Sequence, residues 1–211
     1  GDWQRGIQGR PARQPCNDAE DIAASLGALG FKVTLLKNAS NREMVEAIGA
    51  FGRELRKGGV GLFYFAGHGV QSRGRNYLIP VNAAVRSEAE LEFEAVDANR
   101  VLALMDEAAN RINIVILDAC RDNPYARSFR SGARGLAQME AAKGSFIAFA
   151  TGPGAVASDG DGRNGLYTQH LLASLQHVDS DIDKVFRRVT AEVARATDGR
   201  QVPWISSSLT G

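Results

Sequence analysis

The sequence is poor in cysteine, with Cys16 and Cys120 the two in 211 residues. A secreted domain of this size stapled by disulfides carries more, and two thiols alone do not make a zinc site. It also lacks an excess of charge, with a formal net charge of +1. That removes any general electrostatic case for nucleic acid or an anionic membrane as partner. Long hydrophobic runs are missing, and no stretch is long enough to span a bilayer. Residues 1–15 carry Arg5, Arg10 and Arg13 with no apolar stretch behind them. Nothing there reads as a signal peptide, so a cytoplasmic location is expected. What remains is ordinary globular composition, 44% hydrophobic and 23% charged, in a chain long enough for one well-packed domain.

Residues 1–16, rich in Gly, Arg, Gln and Pro, read as irregular chain. A helix is predicted over 17–29, capped by Asn17 or Asp18, with Ile22, Leu26 and Leu29 as its apolar stripe and Gly30 as its stop. Residues 31–36 form a short β-prone run. Ser40 can cap a second helix to about Lys57. Residues 60–65 are almost continuously apolar, as in a strand covered on both faces. A small-residue turn, 66–69, follows, then a polar-tipped hairpin around 72–75. Helix is predicted over 97–109, and a second buried strand over 112–117 runs into Asp118, Ala119 and Cys120. Residues 121–143 are long and polar. A third buried strand is predicted over 146–150, a Gly- and Asp-rich loop over 151–165, helices over 166–175 and 182–196, and a strand-like tail over 201–209. This alternation predicts an α/β sandwich with a mostly parallel sheet. No internal repeat or domain boundary is visible.

Two residues stand out chemically. Open α/β sheets place their sites beyond the carboxyl ends of the strands. His68 lies just past one predicted buried strand and Cys120 just past another. If those strands are parallel near neighbours, both side chains leave the same sheet edge. A thiol needs a nearby base or cation to become the reactive thiolate. An imidazole titrates near neutrality and can take that proton, then deliver it to a leaving amine. The Gly69 and Cys120 amides are candidate donors to an oxyanion. Taken singly, a histidine or a cysteine at a strand end is structural; the paired placement makes them candidate base and nucleophile. His170 and His177 read as structural.

Residues 63–71 (FYFAGHGVQ) and 116–124 (ILDACRDNP) resemble the His and Cys motifs of bacterial caspase-like peptidases, relatives of caspases and metacaspases often called orthocaspases. The His-to-Cys separation of about 50 residues matches caspases. Asn17-Asp18-Ala19, residues 76–80 (NYLIP), Gly135-Leu136-Ala137, the loop 157–165 and residues 201–204 (QVPW) look like further landmarks of the family, so the resemblance covers about 17–211.

The resemblance implies a caspase-like three-layer sandwich with a six-stranded, mostly parallel sheet between helices. It also implies a cysteine endopeptidase acting through a His68–Cys120 dyad and a thioester acyl-enzyme. Residues 17–125 then correspond to the large-subunit part, 126–143 to the intersubunit linker and 144–211 to the small-subunit part. Metacaspase-like members cleave after Arg or Lys, and Asp18 and Asp118 match the carboxylates of the pocket that receives that side chain. A guanidinium between carboxylates gains charge-assisted, bidentate hydrogen bonds. The alternatives are a helix cap for Asp18 and a structural acceptor for Asp118. Arg127, Arg130 and Arg134 suggest self-cleavage, against a solvated basic loop. Asp159 and Asp161 suggest calcium activation, against a simple turn, and no cofactor or metal is expected. The expected partners are protein or peptide substrates, not nucleic acid or membrane, and the expected state is a monomer. Family members begin with an apolar strand ahead of the Asn-Asp-Ala helix, and residues 1–16 do not supply one. The competing reading is a caspase-like interaction or regulatory module with little or no proteolysis.

Overall fold

The computed structural model describes residues 13–119, 125, 129, 135–158, 160–177 and 181–209. The described residues begin with helix α1 (Arg13–Ala28), four residues before the predicted start. Pro15 lies within its first turn, where a missing N–H costs nothing. Asp18 is therefore inside the helix, which corrects the expectation that it caps one. Helix α2 (Asn41–Leu55) opens with a reciprocal capping box between Ser40 and Glu43 and buries Met44, Ile48 and Leu55.

Strand β1 (Val60–Ala66) follows. A hairpin comes next, β2 (Gly69–Ser72) and β3 (Arg75–Leu78). Its two turn residues, Arg73 and Gly74, both have positive φ, +50° and +77°, as the turn twist that matches a hairpin requires. A 3₁₀ turn (Glu88–Glu90) and a short helix α3 (Leu91–Glu94) lead to β4 (Val96–Asp97). Asp97 then caps α4 (Ala98–Glu107) by accepting from the Asn99 amide. Strands β5 (Ile112–Asp118) and β6 (Ser145–Phe149), helices α5 (Leu166–Leu175) and α6 (Ile182–Ala196), and β7 (Trp204–Ser207) complete the described chain.

The main sheet runs β1-β5-β6-β7, with β1, β5 and β6 mutually parallel and β7 antiparallel at one edge. It is the mixed, mostly parallel sheet expected, with helices on both faces. Helix α1 packs on β1 and α5, α5 packs on α6, and α2 packs on α4. The inner strands are the apolar ones: every residue of β6, and all of β5 after Ile112, is buried. Strands β2, β3 and β4 form a separate antiparallel sheet. One face joins the main core through Leu78 and Val96. The other covers a second core of Val70, Tyr77 and Leu91, closed by Tyr125 and Phe129, whose rings stack with centroids 5.6 Å apart.

The sheet falls short of the expected six strands at the β1 side. Among the described residues no strand pairs with the outer edge of β1. Residues 31–36, read from sequence as a strand, form no ladder. A strand exists only where a neighbour takes its backbone bonds, and none of the described residues does so there. Between α1, this stretch and the β1 edge lies an apolar groove of about 340 Å³, lined by Ile22, Leu26, Phe31 and Leu62 among others. Val33 and Leu35 remain well exposed beside it.

Candidate active site

β1 and β5 are adjacent and parallel, in a register that sets Ala66 opposite Asp118. Beyond that pair the Gly67 amide donates to the Asp118 carbonyl at 3.1 Å. The turn carrying His68 and the chain leading through Ala119 toward Cys120 thus leave the same end of neighbouring strands, as paired placement required. Cys120 itself lies outside the described residues, as do Arg127, Arg130, Arg134 and Asp159. His68 is half-buried, and its backbone carbonyl accepts from the Ile79 amide at 2.9 Å.

That last bond fixes the pairing type of the hairpin. Gly69 faces Leu78, and the ladder bond runs between their outer neighbours, Ile79 and His68. Gly69 and Leu78 are therefore a non-hydrogen-bonded pair, and the Gly69 N–H stays out of the β2–β3 ladder. A Cβ at Gly69 would lie 2.9 Å from the Ala119 carbonyl oxygen, the Ala119 Cβ and a Leu136 methyl. Glycine is needed here because the histidine turn and the cysteine loop touch backbone to backbone.

The two sequence-selected acids come together although 100 residues of chain separate them. Asp18 is completely buried and Asp118 nearly so, and both converge on the start of α5. The Asp18 Oδ1 accepts from the Gly165 amide at 2.9 Å; Gly165 is the N-cap residue of α5 and offers no side chain of its own. The carboxylate thus supplies the anion that a helix N-terminus favours. Three residues on, the Thr168 hydroxyl donates to Asp118 Oδ2 at 2.8 Å. The Tyr64 hydroxyl lies 2.6 Å from Thr168 Oγ1. Thr168 has given its single proton to Asp118, so Tyr64 is the donor. The relay runs from Tyr64 to Thr168 to Asp118. Burial, then the charges of Asp118 and Asp18, hold the Tyr64 phenol well above its ordinary pKa, which keeps it a donor.

The part of the loop directly before α5, residues 160–164, is tied to α1. Gln14 Nε2 donates to the Gly160 and Gly162 carbonyls, and Asn17 Nδ2 to that of Arg163. Arg163 grips Asp21 with two hydrogen bonds of 2.9 and 3.0 Å, and Asn164 adds a third. The Arg163 guanidinium holds the Asp21 carboxyl below its ordinary pKa. Among the described residues no group of three or more His, Cys, Asp and Glu side chains is placed to hold a metal.

The chain matches the family model described as Caspase domain over residues 7–211. It belongs to the caspase-domain family. Within this family of cysteine peptidases it is similar to the mouse homolog of mucosa-associated lymphoid tissue lymphoma translocation protein 1, at 29% identity over 93% of this chain and 23% of that protein. The human protein of that name is 33% identical over 52% of this chain and 13% of its own length. The chain therefore spans less than a quarter of either relative. The caspase-domain assignment accounts for the fold and for the paired strand ends. It does not point to Tyr64 or Thr168, which the sequence reading missed. The available signal was the lone hydroxyl of Tyr64 in the otherwise apolar run of β1; Thr168, next to the equally buried Tyr167, offered none.

Proposed function

We propose that this chain is a cysteine endopeptidase cleaving after Arg or Lys, with Cys120 as nucleophile and His68 as general base. The observation that carries the reading is the convergence of the Asp18 and Asp118 carboxylates at one end of α5, beside the strand end that leads to Cys120. Buried carboxylates are held only where something compensates their charge, and a guanidinium or ammonium from the substrate adds to the hydrogen bonds already present.

The Cys120 proton passes to His68, and the thiolate attacks the scissile carbonyl carbon. Negative charge moves to the carbonyl oxygen, where the Gly69 and Cys120 amides donate to it. Collapse of this intermediate breaks the C–N bond. The imidazolium of His68 gives its proton to the departing amine, leaving a thioester on Cys120. Water, deprotonated by His68, attacks the thioester; the acid product leaves and the thiol is restored. Asp18 and Asp118 take no part in proton transfer and hold the basic side chain that fixes the register of the scissile bond.

The test is a set of fluorogenic peptides differing only at the residue before the cut, with and without calcium, and with Cys120→Ala as control. Arg and Lys peptides should be turned over and Cys120→Ala should be inert. Preference for Asp peptides would refute the basic pocket, and activity in Cys120→Ala would refute the nucleophile. A second reading, a caspase-fold interaction module with little proteolysis, is favoured by the outer edge of β1, with which no strand pairs among the described residues. It predicts no turnover of any peptide by folded wild type.

A further inference from the structure

Asn76 is completely buried on β3. Its side chain makes a two-point backbone pairing with a residue 61 positions away: Nδ2 donates to the Ala137 carbonyl at 2.8 Å, and the Ala137 amide donates to Oδ1 at 2.7 Å. A primary carboxamide presents one donor and one acceptor side by side, as a backbone unit does. Asp offers two acceptors, and Leu or Ala offers neither.

Ala137 belongs to a strap, residues 135–137, that is held on its other side as well. The Gly154 amide donates to the Leu136 carbonyl at 3.0 Å. Gly135 has φ of +62°, and a Cβ there would lie 2.1 Å from the Ala155 carbonyl oxygen. Between these fixings Leu136, itself buried, presses on Gly69 where Gly69 meets Ala119. The strap thus lies over the junction between the histidine turn and the chain leading to Cys120.

We propose that Asn76 is a positioning residue: by clamping Ala137 it seats Leu136 against Gly69 and so fixes the His68 turn relative to the Cys120 loop. This rests on the His68–Cys120 reading above. Neither Asn76 nor Leu136 carries a group that takes part in the bond-making steps. Their effect is on the mutual placement of two groups that work only within hydrogen-bond reach.

The experiment uses the full chain and two variants, Asn76→Asp, which turns one donor into an acceptor, and Leu136→Ala, which leaves the clamp but removes the pressing side chain. Val189→Ala, at a buried position of α6, is the control for general loss of stability. Two quantities are read: kcat and KM on an Arg peptide, and the pH dependence of Cys120 alkylation by iodoacetamide, followed by peptide mass spectrometry so that Cys16 does not interfere. Wild type should alkylate with an inflection below the free-thiol value of about 8.5. Both strap variants should move that inflection toward the free-thiol value and lower kcat at least tenfold, with KM within about twofold. Val189→Ala should do neither. If Asn76→Asp does not fold, Leu136→Ala decides. A folded strap variant with a wild-type inflection and kcat would overturn the inference, as would an equal effect in Val189→Ala. A wild-type inflection at the free-thiol value would instead overturn the dyad, and this inference with it.

Discussion

The phenol of Tyr64 donates to the hydroxyl of Thr168, which in turn donates to a carboxylate oxygen of Asp118. This fixes the direction of every proton in the relay and gives it a pH dependence. The Tyr64 pKa is raised above its unfolded value of about 10. The neutral phenol is therefore favoured in the native state. Its contribution is fully present below about pH 10 and is lost as pH rises toward the folded pKa. Tyr64→Phe should cost about 1 to 2 kcal/mol at neutral pH and should flatten the alkaline fall in stability. Urea unfolding at a series of pH values from 7 to 11 measures both.

Asp118→Asn and Asp18→Asn keep shape and remove charge. On the proposed function each should lower kcat/KM for an Arg peptide by about ten- to a thousandfold while leaving a peptide with Gln before the cut nearly unchanged. Asp18→Asn should also lower stability, because Oδ1 at the start of α5 loses its charge-assisted bond from Gly165. Equal losses on both peptides would mean that the acids are structural.

The Arg163–Asp21 pair ties the loop before α5 to α1. Asp21 has a lowered folded pKa, so its contribution is present above the unfolded value of about 4 and is lost as pH falls through the lower folded value. Arg163 is more than half exposed, and screening limits the pair to under about 1 kcal/mol. Asp21→Asn should remove that part of the acid dependence below about pH 4. Thermal melts of both proteins across that range check it.

Gly135→Ala and Gly69→Ala separate strain from site geometry. At Gly135 the added methyl meets backbone at 2.1 Å in a left-handed conformation, and a loss of about 3 kcal/mol or more is expected. At Gly69 the clash at 2.9 Å is with the Ala119 carbonyl. On the proposed function, activity there should fall by at least a hundredfold while the protein remains folded, since the shift pushes the His68 turn away from the chain leading to Cys120. Circular dichroism beside peptide turnover distinguishes the two outcomes.

The parts of this molecule legible in the sequence are those that local rules determine. The continuous apolar runs of β1, β5 and β6, the Ser40 cap and the Arg73–Gly74 turn each follow from a few neighbouring residues. So did the placement of His68 and the approach to Cys120, because each lies directly after a readable strand. The meeting of Asp18 with Asp118 was expected from family resemblance, not from spacing. The Tyr64–Thr168 relay and the Asn76 clamp were not legible, because their partners lie 104 and 61 residues apart. Residues 31–36 show the opposite failure. Their β-propensity is real, but no described neighbour completes a ladder.

The bond between Asp18 and Gly165 spans 147 positions, and this has a consequence for how the protein is made. During synthesis His68 and Cys120 leave the ribosome well before residue 165 exists outside it. Contacts of such sequence separation form late, after the loop they close has been ordered. A nascent chain therefore carries both His68 and Cys120 for some time without the helix start on which the two acids converge. On the proposed function, recognition of a basic side chain is therefore gained after the two groups that carry the chemistry have emerged, so discrimination between cut sites is acquired later than the means to cut.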